Sequence, residues 1–285
     1  MDKTKPTNIG NLVLIGGFED RRNQKEVLRN LVETHQAKNI IVIPSATLYP
    51  VESSDDYCRA FRMLGVKNID VFDIRSNHQA NNSYPSEVLE NADMIFFTGG
   101  DPLRLTNILN HSLLLNHIRY RYHYEQLTLA GSSAGAIVFA DLIVCSEEKE
   151  SSNVFGMSYS ENSQLCEGFG LITDFAIDTH FSSLDKIHNL LEFCCRYKIT
   201  RAAGIDQDTS MTFHSDNTFS VAGSGSVSLF SGSPFLFSHK VHDHQSGGLS
   251  MDGIRMSILR DGDSFDMEKW SVKKSTRISD LAKGF

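Results

Sequence analysis

Short apolar runs alternate with amphipathic stretches over the first two-thirds of the chain. This pattern predicts an α/β protein whose parallel strands are buried on both faces and joined by crossover helices. Helices are expected over residues 24–35, where Val27, Leu28 and Leu31 share one face, and near residues 55–64. The expected strands are residues 12–15, 40–43, 69–72, 94–97 and 127–130, with further ones at 171–177 and 203–205.

The pattern changes after about residue 209, where short alternating runs are separated by Gly, Ser, Asp and Asn. Runs at residues 211–213, 218–221 and 226–230 predict antiparallel hairpins. A long loop is expected over residues 238–248, and a last strand near residues 253–259 precedes a polar tail. Since no linker separates the two patterns, we expect one domain over residues 1–285 with a β-rich C-terminal extension.

Composition narrows the functional classes. The chain has 285 residues, 40% hydrophobic and 22% charged, as is usual for globular proteins. Its net charge of −8 argues against a nucleic-acid partner, because phosphate binding needs a basic surface. Five cysteines without a CxxC spacing favour a reducing compartment over a disulfide framework. The N-terminus lacks the apolar core of a signal peptide and no run could span a membrane, so we expect a cytoplasmic protein.

The segment from Gly131 to Gly135 has the G-x-S-x-G pattern of a nucleophile elbow. An apolar strand precedes it, and residues 134–141 are compatible with a helix. Small residues around Ser133 permit the sharp strand-to-helix turn that exposes a serine hydroxyl. The sequence therefore predicts that Ser133 is the nucleophile of a hydrolase. The alternative is a small-residue turn without chemistry.

A serine nucleophile needs a base, and the base needs an orienting carboxylate. His180 follows a predicted strand and should lie at the carboxyl edge of the sheet beside Ser133, where catalytic groups of α/β proteins gather. His188 is interpreted as a surface helix residue. No metal site is expected from the loop histidines His239, His242 and His244. The acid is expected among three residues after the elbow helix, namely Glu147, Glu148 and Glu150.

Five motifs in order resemble those of peptidase family S51, which includes cyanophycinase and peptidase E. The first is the opening strand with its GGxED turn, here Gly16-Gly17-Phe18-Glu19-Asp20. The others are a glycine loop, the elbow, a segment like DQHF and a turn like GIDEDT. In this chain these are residues 97–101, 131–136, 178–181 and 204–209.

The resemblance implies a flavodoxin-like fold related to class I glutamine amidotransferases, a Ser–His–acid triad, a homodimer, and neither metal nor cofactor. It makes Ser133 the nucleophile and His180 the base. Glu150 is nearest the acid position of cyanophycinase and Glu148 that of peptidase E. The implied oxyanion donors are backbone N–H groups of three residues, Gly100, Asp101 and Ala134.

The chain departs from the cyanophycinase pattern where substrate would bind. Pro102 and Thr179 replace glutamines, and Lys186 is the only cation left where that family has several arginines. Lysine lacks the bidentate fork with which arginine binds carboxylates. The resemblance also implies that Asp178 shapes the pocket beside the histidine. Because the arginines are missing, we expect a small peptide or isopeptide substrate other than cyanophycin.

Three other functions stay open at this point. An α/β-hydrolase esterase would use a histidine near the C-terminus, His242 or His244, in place of His180. A binding or regulatory module could keep the fold after losing its substrate pocket. A glutamine amidotransferase is disfavoured, because that chemistry uses cysteine where this chain has Ser133.

Overall fold

A computed structural model describes residues 9–146, 163–232 and 253–273. The elements up to the elbow are β1 (Leu12–Ile15), α1 (Glu26–His35), β2 (Asn39–Ile43), α2 (Pro50–Met63), β3 (Asn68–Val71), α3 (Asn77–Asn82), α4 (Ser86–Glu90), β4 (Met94–Phe97), α5 (Pro102–Leu109), α6 (Leu113–Tyr124), β5 (Thr128–Ser132) and α7 (Ala134–Ile137). The later elements are β6 (Leu142–Ser146), β7 (Ser163–Glu167), β8 (Ala176–Thr179), α8 (Leu184–Tyr197), β9 (Arg201–Ile205), β10 (Thr209–Phe213), β11 (Thr218–Gly223), β12 (Ser226–Ser231), β13 (Arg255–Arg260), β14 (Ser264–Asp266) and β15 (Ser271–Lys273).

The main sheet has nine strands in the order β15-β14-β11-β10-β1-β5-β4-β2-β3. Its five strands from β1 to β3 in this order are parallel, and β10 joins antiparallel to β1. β11, β14 and β15 continue the sheet as antiparallel strands. The predicted α/β class with a β-rich C-terminal region is therefore confirmed.

Both faces of the main sheet are covered, which explains the continuous apolar runs. Val13 and Phe96 lie on the face that packs against α1 and α2. Leu14 and Phe97 lie on the opposite face, which packs against α5, α6 and the strands of a second sheet. No helix in the described part of the chain is long and apolar enough to cross a membrane.

The second sheet differs from the expectation that β8 continues the main sheet. It has the order β13-β12-β9-β8, with β8 parallel to β9. The place beside β1 is taken by β10, which the chain reaches through a turn at Asp208 with a φ of 50°. The two sheets share one hydrophobic core, because Ile177 of β8 and Ile205 of β9 pack with the main-sheet residues.

Two local boundaries differ from the sequence prediction, and one hairpin was not predicted. The strand expected from residue 171 begins at Ala176, after Asp174 with a φ of 53°, a left-handed conformation that interrupts extended backbone. The elbow helix ends at Ile137, and Ala140 instead forms a bridge with Ile172. β6 and β7, which the sequence pattern did not reveal, pair as an antiparallel hairpin.

Candidate active site

The elbow places Ser133 between β5 and α7 in a strained conformation, with φ 54° and ψ −116°. Its N–H donates to the carbonyl of Ile15 at 2.9 Å, which fixes it at the end of the main sheet. A Cβ on Gly131 would lie 2.1 Å from the carbonyl oxygen of Gly135. The turn therefore requires glycine there, and such strain is typical of functional sites.

His180 reaches this serine from the second sheet. It follows β8 with a φ of 53°, and its N–H donates to the carbonyl of Gly16 at 3.0 Å. Its Nε2 lies 2.9 Å from Oγ of Ser133, within hydrogen-bond range. The predicted nucleophile and base are thus in contact, although their strands belong to different sheets.

Burial and, to a lesser extent, the positive charge of Lys186 together lower the pKa of His180 from its ordinary 6.5 to about 4. The imidazole is therefore neutral at pH 7, the form that can accept a proton from a serine hydroxyl.

The turn after β1 supports the imidazole. A Cβ on Gly17 would lie 2.3 Å from Cε1 of His180, so the ring rests directly on this glycine, whose φ is 90°. The ring of Phe18 meets the imidazole edge-to-face, with centroids 5.0 Å apart. These contacts limit the movement of the ring whose Nε2 meets Ser133.

Asp178, Thr179 and Lys186 are buried behind the histidine. Nζ of Lys186 is 3.6 Å from Oδ1 of Asp178 and donates to the carbonyl of Thr179 at 3.4 Å. The same Oδ1 accepts the N–H of Thr179 at 2.8 Å. This burial favours a supporting role for the three side chains over direct contact with substrate, unlike the sequence-based expectation. Pro102 is half-buried at the start of α5.

The glycine loop lies against the nucleophile, since a Cβ on Gly99 would be 3.4 Å from Cβ of Ser133. Asp101 is occupied otherwise, because its N–H donates to the carbonyl of Ala46 at 2.9 Å while its Oδ1 caps α5. Among the described residues, no acceptor pairs with the N–H of Gly100 or of Ala134. The geometry therefore favours these two amides as oxyanion donors and disfavours Asp101.

A buried carboxylate behind the serine was not anticipated. Glu19 accepts a hydrogen bond from the hydroxyl of Ser132 at 2.8 Å and another from the hydroxyl of Tyr57. Burial raises the pKa of Glu19, and these bonds oppose the shift. The GGxED motif was a signal that this position is special, but the sequence did not indicate which groups the carboxylate contacts.

Several predicted residues fall elsewhere. The acid candidates Glu147, Glu148 and Glu150 lie outside the described residues, as do the loop histidines His239, His242 and His244. His188 lies on α8 with its side chain 46% exposed and Nε2 3.8 Å from Glu192, as expected of a surface residue. Within the described ranges, no group of three or more His, Cys, Asp or Glu side chains could hold a metal ion.

Known proteins are similar in sequence along most of the chain. A cyanophycinase of Nostoc sp. is 30% identical over 266 residues, or 92% of this chain and 87% of that protein. A cyanophycinase of Geminocystis herdmanii is 30% identical over 258 residues, or 90% of this chain and 93% of that protein.

Solved structures share the fold. A peptidase from an acI-B1 Actinobacterium superposes with a TM-score of 0.67 at 21% identity, over 92% of this chain and 98% of that one. A putative peptidase E from Listeria monocytogenes superposes with a TM-score of 0.53 at 18% identity, over 76% of this chain and 100% of that one. The sequence profile of peptidase family S51 matches residues 12–221, from β1 to β11. Because this match spans most of the chain, the protein belongs to peptidase family S51.

Proposed function

We propose that the protein is a serine peptidase that hydrolyses an amide or isopeptide bond in a small peptide through a Ser–His–acid triad. The observation that carries this proposal is the 2.9 Å contact between Oγ of Ser133 and Nε2 of His180, made by a serine in a strained elbow. Both features belong to activated serines, because the hydroxyl is a weak nucleophile until a base takes its proton.

The proposed reaction has two halves. Oγ of Ser133 attacks the scissile carbonyl carbon while Nε2 of His180 takes the hydroxyl proton. The tetrahedral oxyanion is stabilised by N–H groups of Gly100 and Ala134, each donor contributing about 3–4 kcal/mol. His180 then gives its proton to the departing amine as the carbon–nitrogen bond breaks. Water then attacks the acyl carbon while His180 takes one of its protons, and His180 returns that proton to Oγ of Ser133 as the ester bond breaks and the acid product leaves.

We assign the third member of the triad to Glu148 or Glu150, with Glu147 as the remaining candidate in the same window. The support is the resemblance to family S51 and the position of these residues directly after β6. Leu142 and Val144 of β6 pack beside β8, the strand that ends before His180. Three single Glu→Gln variants test the assignment. The variant that replaces the triad acid should show a kcat about 10⁴-fold below wild type, while the kcat values of the other two variants stay near wild type.

The substrate is proposed to differ from cyanophycin. The relatives from Nostoc and Geminocystis carry the name cyanophycinase, but this chain lacks the arginines expected around Lys186. Lys186 is buried and paired with Asp178, so its charge is already used within the protein. With its charge paired in this way, Lys186 cannot replace the bidentate contacts that arginines would make with the carboxylates of β-aspartyl-arginine units.

A peptide-library digest tests the proposal. Wild type and Ser133→Ala are compared on acidic dipeptides, β-aspartyl dipeptides and cyanophycin, with products identified by mass spectrometry. We expect cleavage of at least one dipeptide class by wild type alone, with no release of β-aspartyl-arginine from cyanophycin. Equal cleavage by Ser133→Ala would overturn the assignment of the nucleophile.

We also propose a cytoplasmic homodimer, in which residues 1–285 form one domain. The five cysteines without a CxxC spacing support the cytoplasmic location, and the resemblance to family S51 supports the dimer. Light scattering on the purified protein should give twice the mass of the chain, and limited proteolysis should release no stable fragment beginning near residue 209. A monomer would contradict the dimer, and such a fragment would contradict the single domain.

A further inference from the structure

Glu19 makes contacts that exceed what packing requires. The residue is only 3% exposed, and both carboxylate oxygens accept a hydrogen bond, Oε2 from the hydroxyl of Ser132 and Oε1 from that of Tyr57. A buried carboxylate is unfavourable unless it is hydrogen-bonded, and an apolar side chain would avoid the cost altogether. Its retention in this position therefore needs a reason beyond core packing.

The turn that carries Glu19 touches both reacting residues. Ile15 accepts the N–H of Ser133 at 2.9 Å, and Gly16 accepts the N–H of His180 at 3.0 Å. The imidazole of His180 packs directly against Gly17. Glu19 adds the side-chain bond from this turn to Ser132, the residue directly before the nucleophile.

We propose that Glu19 is a positioning residue, which ties the turn after β1 to Ser132 and so holds Oγ of Ser133 at Nε2 of His180. This inference rests on the proposed function, since it takes Ser133 and His180 as the reacting pair. Glu19 acts through Ser132 and does not touch substrate.

The strain at Ser133 supports this role. A backbone with φ 54° and ψ −116° persists only where its surroundings fix it. The peptide plane between Ser132 and Ser133 could relax by turning about ψ of Ser132 and φ of Ser133, and the hydrogen bond from Oγ of Ser132 to Glu19 opposes that movement. Tyr57, whose ring lies under the guanidinium of Arg21 at 5.0 Å, fixes the other oxygen of Glu19 to α2.

The test measures how fast a fluorophosphonate labels Ser133 and how fast the best library peptide is cleaved. Ser132→Ala removes only the tether, and Glu19→Ala removes the whole network. Glu19→Gln keeps an acceptor for the hydroxyl of Ser132. Ser112→Ala is the control, because Ser112 is also fully buried but bonds at the start of α6, away from Ser133.

We expect labelling and kcat to fall about tenfold in Ser132→Ala and about 100-fold in Glu19→Ala, since small misplacements of reacting groups carry penalties of this order. KM should stay within about twofold, and Glu19→Gln should recover most of the rate. The double variant Glu19→Ala/Ser132→Ala should be no slower than Glu19→Ala alone, because both changes break one shared bond.

The proposal is overturned if Ser132→Ala labels and cleaves as fast as Ser112→Ala, whatever the melting temperatures. That comparison decides the matter even if Glu19→Ala does not fold. Failure of the wild type itself to label would refute the proposed function instead, so the two failures are distinguishable.

Discussion

The contact between Gly17 and His180 allows a sharp test of the proposed catalytic geometry. In Gly17→Ala, the new methyl carbon would lie 2.3 Å from Cε1 and 2.5 Å from Nε2 of His180. The backbone of the turn cannot easily move away, because two hydrogen bonds hold it. The carbonyl of Gly17 accepts the N–H of Asp208 at 2.9 Å, and the carbonyl of Gly16 accepts the N–H of His180. The imidazole must therefore move.

The required shift follows from the distances. Ordinary carbon contacts begin near 3.4 Å, so a ring atom at 2.3 Å must move away by about 1 Å. A displacement of this size disrupts the 2.9 Å contact between Oγ of Ser133 and Nε2 whichever way the ring moves, since both its length and its angle change. Misplacement of a catalytic group by this amount costs about 100-fold in rate, or about 2.7 kcal/mol in activation free energy.

Gly65→Ala is the matched control. Gly65 has a φ of +91°, against +90° for Gly17, but no atom lies within 4 Å of its added Cβ. Both variants should lose about 1–2 kcal/mol of stability from the left-handed backbone, measured by chemical denaturation. Only Gly17→Ala should lose kcat and fluorophosphonate labelling. Labelling of Gly17→Ala within about threefold of Gly65→Ala would refute the geometric reasoning.

Two further predictions concern pH and the C-terminal strands. Because the pKa of His180 is lowered to about 4, kcat/KM should hold from pH 7 down to about pH 5 and fall as the imidazole protonates. The free energy of unfolding should fall in the same direction between the ordinary 6.5 and about 4, since the unfolded state binds the proton more readily there. Lys186→Met should shift the acidic limb of the kcat/KM profile to higher pH, because it removes a positive charge that lowers the pKa of His180. An unchanged limb would contradict this cause. Phe265→Ala removes a fully buried ring that stacks on Phe219 at 5.2 Å. It should cost about 3–5 kcal/mol of stability and leave labelling unchanged, because β14 is separated from β5 by three strands; slower labelling at full folding would contradict this.

The parallel half of the fold was predictable because its signal is local. β1, β2, β4 and β5 are apolar runs covered on both faces, and such runs stand out between polar turns, whereas the edge strand β3 is mostly exposed. The elbow was predictable for a similar reason, since Gly131 and Gly135 are required by contacts of the turn with itself and with its neighbour Phe97.

The second sheet was not predictable from local pattern. β8 and β9 are short strands that are almost entirely buried, like those of the main sheet, and their sequences do not indicate with which strand they pair. The pairing depends on a distant strand: β10 occupies the place beside β1, and β9 therefore pairs with β12 in the second sheet. The position of His180 beside Ser133 was nevertheless predictable, because both residues follow strands whose carboxyl ends face the same region.

The supporting residues depend on tertiary contacts that spacing does not encode. Lys186 was expected to bind substrate, yet its long side chain turns inward to Asp178, eight residues earlier in the chain. Asp101 was expected to offer its N–H to an oxyanion, yet the carbonyl of Ala46 from the neighbouring strand end takes it. In both cases a polar group near the site is satisfied within the protein.

Identification of the residue that a fluorophosphonate modifies tests the central claim most directly. The protein is labelled, digested and analysed by mass spectrometry, with Ser133→Ala and His180→Ala treated in parallel. The predicted result is one phosphonylated residue, Ser133, with no adduct in Ser133→Ala and slow labelling in His180→Ala. Ser132 serves as an internal control, because its hydroxyl is buried and donated to Glu19. An unlabelled wild type, or an adduct on another serine, would contradict the account.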